Sequence, residues 1–151
     1  MKKQLFHTTD NWHPLILRVL LGLVIFPHGA QKLLGWFGGY GFSGTMHWFT
    51  ETMGFPWLMA FLIVMLESLG ALALIAGFGS RILAAFFTLL ALGIMFSSHI
   101  QNGFFMNWFG NQEGEGIEYF LLWIGISLAL VISGGGKYSI DRIYLSNTQG
   151  K

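Results

Sequence analysis

Four apolar runs, over residues 14–35, 56–78, 81–100 and 117–133, fill most of this 151-residue chain. Each is close to the roughly 20 residues a helix needs to cross a bilayer. They predict an all-α fold: an integral membrane four-helix bundle in a single domain, with residues 134–151 left as a tail. Charged residues make up only 10% of the chain and hydrophobic ones 54%, against about 25% charged in a typical soluble domain. A soluble core of this size has no room for so much apolar surface.

The same composition excludes several functions. The eight Lys and Arg residues are scattered and the net charge is +1, so nothing favours nucleic acid or another polyanion. There is no cysteine, hence no disulfide framework, thiolate zinc site, iron–sulfur ligation or dithiol relay. The basic start Met1-Lys2-Lys3 precedes an apolar run, but Phe26-Pro27-His28-Gly29-Ala30 offers no small-x-small cleavage pattern, so the first span is expected to be retained.

Basic residues also predict orientation, because Lys and Arg are held on the cytoplasmic side. Lys2, Lys3 and Arg18 precede or begin the first span, Arg81 marks the junction of the second and third, and Lys137, Arg142 and Lys151 follow the fourth. The opposite loops carry Glu51, Glu113 and Glu115 without Lys or Arg. Both termini are therefore expected in the cytoplasm, with Arg18, Arg81 and Arg142 as anchors.

Span ends can be read from turn residues. Pro14 suits a first helical turn. The glycines from Gly35 to Gly44 break the first helix, and Thr45 is placed to cap a short interfacial helix over residues 46–53, closed by Gly54. Pro56 opens the second span. The turn from Gly77 to Arg81 is minimal and predicts that the second and third spans pack as antiparallel neighbours. The aromatic loop over residues 101–116 reads as interfacial.

The ionisable residues within these spans constrain function most, since a central charge costs about 2.5–3.5 kcal/mol on insertion scales. His28 and Lys32 are one turn apart and share a face, with Gly29 and Gly22 allowing close helix approach there. Glu67 falls near mid-membrane and needs a partner. Lys32 is the obvious one, although it lies nearer the boundary than Glu67, and His28 is closer in depth. Arg81, Thr88 and His99 lie on one helical line. Glu118 begins the fourth span, followed on its face by Gly125 and Ala129. His28, Lys32, Glu67, His99 and Glu118 thus gather toward one half of the bilayer, placed to line one pocket. Snorkelling to water is the competing account of Lys32, His99 and Glu118, and a satisfied core histidine that of His28.

Arg18-Val19-Leu20-Leu21-Gly22, His28-Gly29-Ala30-Gln31-Lys32-Leu33, Gly54-Phe55-Pro56, Glu67-Ser68-Leu69-Gly70, the Gly77-to-Arg81 turn, His99 and Gly136-Lys137-Tyr138-Ser139-Ile140-Asp141-Arg142 together resemble the DoxX family, from about Pro14 to Arg142. The resemblance implies a four-helix protein of the prokaryotic inner membrane, with relatives linked to quinone-dependent sulfur oxidation and to oxidant or thiol stress. Lys32, Glu67 and His99 match polar points of the family pattern, which assigns them no catalytic role. The insert around Gly38 to His47 and the long loop before Glu118 depart from the commoner pattern.

Two function classes follow. One is the membrane subunit of a redox system whose pocket takes a quinone head group, with no covalently bound cofactor and no metal, and with electrons supplied by an oxidoreductase partner subunit. A bis-histidine haem is disfavoured, because His28 and His99 differ in depth by about one helical turn. The other is a non-enzymatic scaffold or a small-solute carrier. Against a carrier, four spans without repeats give little machinery for alternating access unless copies of the chain oligomerise.

Overall fold

The computed structural model describes Thr8 and residues 10–149, with side chains to residue 146. Lys2, Lys3 and Lys151, which carry part of the charge asymmetry, lie outside the described residues. The helices are α1 (Trp12–Leu34), α2 (Gly41–His47, continued by a π-helical turn over Trp48–Thr52), α3 (Trp57–Ala76), α4 (Ser80–Asn102), α5 (Glu118–Ser133) and α6 (Ile140–Gln149), and no strand occurs among the described residues.

Helices α1, α3 and α4 are long and apolar enough to cross a membrane. With 16 residues, α5 is shorter and rises only about 24 Å, less than the ~30 Å of bilayer hydrocarbon. The loop before it makes up the difference. Backbone N–H groups of Gly116, Ile117 and Glu118 donate to the carbonyls of Phe105, Gly103 and Phe104, so the backbone entering α5 is satisfied by the loop, as irregular backbone near membrane depth must be.

Packing runs in the order α3, α1, α5, α4. Gly22 and Gly29 of α1 lie against α3, and a Cβ on Gly29 would strike the backbone of Glu67 and Ser68. On the other side Ala84, Phe87 and Ala91 of α4 join Phe120, Trp123 and Leu130 of α5 in the core. With Ser127 buried between Trp123 and Leu130, the α4 and α5 sets repeat at three- and four-residue intervals, the stripe an amphipathic helix buries.

The second and third spans are antiparallel neighbours, as their turn requires, but they diverge along their length. Their packing is concentrated on the part of α3 nearer the turn, Leu66–Gly70 and Ala71–Ala76. Toward the other end they part around an apolar cleft of about 720 Å³. A tight turn fixes where two helices start, whereas their divergence is set by what each packs against, and here each has a better partner.

Arg18 is corrected from a membrane anchor to a buried clamp, only 2% exposed. Its guanidinium donates to the carbonyls of Leu74, Ile75, Gly135, Lys137 and Tyr138. It thereby ties α1 to the end of α3 and to the segment after α5. The charged head stays inside because carbonyls at the end of α3, whose C-cap Gly77 is left-handed at φ 75°, help satisfy it. Asp141, 2% exposed, accepts from the N–H groups of Gly79 and Ser80 at 2.7 and 2.8 Å, capping the first turn of α4. The tail is thus a built part of the fold and carries a helix the sequence reading did not expect. Arg81 donates to the Val131 carbonyl at 3.0 Å, and Arg142 pairs with Asp10.

Two local readings also change. Thr45 does not cap α2, which begins at Gly41; it is buried inside the helix, beside Met46. Gly125 makes no small-residue seam, since a Cβ built there meets nothing within 4 Å.

Candidate functional site

Near the end that carries α2 and the 103–117 loop, the bundle holds a partly open cavity of about 410 Å³. Its walls bring together four of the sequence-predicted residues, His28 and Lys32 from α1, Glu67 from α3 and His99 from α4. Val24, Ile25, Ile94, Phe120 and Trp123 supply apolar wall, and Met106 and Glu115 come from the loop.

Glu67 is 3% exposed and pairs with the Lys32 ammonium. The difference in depth between them is closed by helix geometry. Side chains lean toward the N-terminus of their own helix, so in antiparallel α1 and α3 Lys32 leans back toward Glu67 and Glu67 leans up toward Lys32. The bare Cα of Gly29, packed on the Glu67 backbone, brings the two helices near enough for the pair to form. Glu67 and His99 both sit in π-helical turns, Leu66–Gly70 and Met95–His99. Such wide turns shift side chains out of the ordinary register and are common at functional sites.

His99 Nδ1 lies 2.8 Å from the Glu115 carbonyl. A carbonyl only accepts, so Nδ1 carries the hydrogen, and in neutral His99 Nε2 is left as a base. The ring also stands 4.6 Å from that of Phe120. His28 lines the cavity and is exposed.

Glu118 is not among the lining residues. Its carboxylate turns to the loop and accepts from the Met106 N–H at 3.1 Å, where an acidic group also suits the first turn of α5. Glu115 takes the place expected for it at the cavity, while accepting from the Asn107 N–H at 2.6 Å. These two carboxylates fold the loop over the cavity.

Sequence reasoning missed Tyr119 and Trp123, which line the cavity from α5. Trp123 is 6% exposed and its Nε1–H has no acceptor. A buried indole donor without a partner is costly, and this one belongs to a residue of the cavity wall. The only trace in the sequence was the four-residue spacing of Tyr119, Trp123 and Ser127. Lys32 also borders a second cavity of about 280 Å³, with Gln31, Tyr40, Thr45 and Trp48, so the ion pair stands between two spaces.

The fold and cavity define a polytopic helical membrane protein with a charged pair buried in a mostly apolar site. The DoxX family model matches residues 13–100, and the chain belongs to the DoxX family. It is 32% identical over 116 residues to CatD of Bacillus subtilis (strain 168), whose name marks it as a candidate oxidoreductase, covering 77% of this chain and 76% of that one. It is 33% identical over 135 residues to the inner membrane protein YqjF of Escherichia coli (strain K12), covering 85% and 89%. The inner membrane protein YphA of the same strain is 28% identical over 134 residues, covering 85% and 87%. No solved structure matches the chain.

Proposed function

We propose that this protein is the membrane subunit of a redox system in the inner membrane, and that its cavity holds the head group of a quinone. The observation that carries the reading is one cavity joining the Lys32–Glu67 pair and a basic His99 nitrogen within walls of Ile25, Phe120 and Trp123. Its volume lies within the 300–1,000 Å³ usual for small-molecule sites. The name of CatD agrees with redox chemistry.

The residues present fit such a group. Lys32 would donate to a carbonyl oxygen, and Ile25, Phe120 and Trp123 would supply the apolar walls around the ring. When bound, a quinone supplies a two-electron acceptor that takes up two protons. Electrons come from a partner oxidoreductase carrying a flavin or metal centre. Glu67 and His99 move protons, Glu67 at the carboxylate shared with Lys32 and His99 at Nε2. With both termini cytoplasmic, as the basic residues favour, the cavity opens toward the outer face.

The test is calorimetric titration of the protein in mild detergent with a tail-less substituted benzoquinone. Lys32→Ala and His28→Ala should bind it more weakly, Lys32 by about tenfold or more, the loss expected for a charge-assisted hydrogen bond. Lys32→Met combined with Glu67→Gln removes both charges and so avoids a stranded carboxylate; it should fold and still lose binding. Wild type binding no better than these variants refutes the site and leaves a non-enzymatic scaffold.

A further inference from the structure

The cavity at Glu67 holds a charged pair among apolar walls and is only partly covered by the 103–117 loop, and a lipid-soluble molecule approaches such a site most directly from within the bilayer. One side chain borders both it and the apolar cleft between α3 and α4. Ile94 of α4 lines both the 410 Å³ cavity and the 720 Å³ cleft between α3 and α4. On the facing helix, Leu66 lines the cleft while the next residue, Glu67, lines the cavity. The two spaces thus meet at a single layer of apolar side chains, and both helices carry a π-helical turn at that level.

The cleft differs in chemistry from the cavity it adjoins. Met59, Ile63, Leu66, Leu90 and Ile94 line it, and Ser97 is the one polar side chain on its walls. Gly93 adds no bulk, and a Cβ built on it meets nothing within 4 Å. The cleft is therefore a long apolar trough whose inner edge is the wall of a head-group site.

We infer that the α3–α4 cleft is the lateral entry and the tail-binding groove of the ligand whose head group occupies the Glu67 cavity, with Ile94 as the threshold between them. The inference rests on the head-group reading above and adds where the apolar tail lies. Ligand reaches the cavity from within the bilayer, passing between α3 and α4, and the 103–117 loop need not open. Continuity with the cavity distinguishes this occupant from a bulk lipid acyl chain or a second copy of the chain, neither of which requires Ile94 to be shared.

The experiment compares two probes, a tail-less substituted benzoquinone and the same head carrying a decyl chain, titrated calorimetrically into the full chain in mild detergent. Fully burying a methylene from water strengthens binding about fourfold, and the micelle offers the tail most of that already. A wild-type preference of about tenfold for the decyl compound is therefore expected. Gly93→Phe and Leu89→Trp fill the cleft from a face that packs against nothing. Each should abolish the preference while tail-less binding and the unfolding midpoint stay as in wild type. A preference unchanged in both variants, with tail-less binding intact, overturns the groove alone and assigns the cleft to ordinary lipid. A changed oligomeric state in Gly93→Phe with the preference retained also overturns it and assigns the cleft to a second copy. Failure of the tail-less probe to bind wild type overturns the head-group reading and the groove with it.

Discussion

Gly29→Ala should uncouple the charged pair without touching either charge. The added Cβ would lie closer than 3.0 Å to the carbonyl carbon and oxygen of Glu67 and to the Ser68 nitrogen. All three are backbone atoms, so no rotamer change relieves the clash, and α1 and α3 must separate by on the order of an ångström. Overpacking of this kind costs about 1–3 kcal/mol, and the upper half of that range is expected because backbone must move. The separation also draws Lys32 from Glu67. At Gly22 the nearest atom met is Cγ1 of Ile75, a side chain, with the Ala71 carbonyl oxygen at 2.9 Å, so Gly22→Ala should cost less. Gly125→Ala is the control: its Cβ meets open space, and stability should hold or rise by up to about 1 kcal/mol from helix propensity. Reversible unfolding of the purified variants by denaturing detergent, followed by circular dichroism, gives all three values. Gly29→Ala as stable as Gly125→Ala would refute the close approach of α1 to Glu67, and with it the geometry that joins Lys32 to Glu67.

Arg18→Ala should be among the most destabilising single changes, at least about 3 kcal/mol, because charge-assisted bonds contribute roughly 1.5–3 kcal/mol each and several carbonyls lose their donor together. Arg18→Lys should recover little, since an ammonium lacks the planar fork that spans separated acceptors; thermal unfolding in mild detergent reads both. Asp141→Asn should cost about 1–2 kcal/mol through the weakened cap on α4, and hydrogen exchange at Gly79 and Ser80 should rise with it. Asn107→Cys should react with an impermeant thiol reagent only from the outer face; reaction from the cytoplasmic side alone would invert the orientation drawn from the basic residues.

The spans were legible because apolarity and length are local properties, and structural ends at Leu34, Trp57 and Ser133 lie within a residue or two of those read from Gly35, Pro56 and the end of the last apolar run. Glu67 stood out for the same reason, as one carboxylate in hydrocarbon. What the sequence hid was set by distant partners. Arg18 near a span end looks like any anchoring residue, and three of its five acceptors lie 117 to 120 positions away. The divergence of α3 and α4 could not be read from the turn, which constrains only its own neighbourhood. Glu118 was placed in the pocket by helix position, yet an irregular loop whose backbone donors point at it decided where its carboxylate went. Trp123 lay in an apolar run, where an indole usually means packing; only the missing acceptor for Nε1 marks it.

The most direct test of the head-group site is fluorescence quenching by a tail-less substituted benzoquinone, read in the wild type and in Trp123→Phe. Trp123 lines the cavity whereas Trp36, Trp48 and Trp108 do not, so a quinone seated beside Lys32 and Glu67 quenches Trp123 by contact. The account predicts saturable quenching in wild type, with its saturable part lost in Trp123→Phe and shifted to about tenfold higher concentration in the Lys32→Met, Glu67→Gln double variant. Quenching that is linear in quinone, or identical in all three proteins, would contradict it.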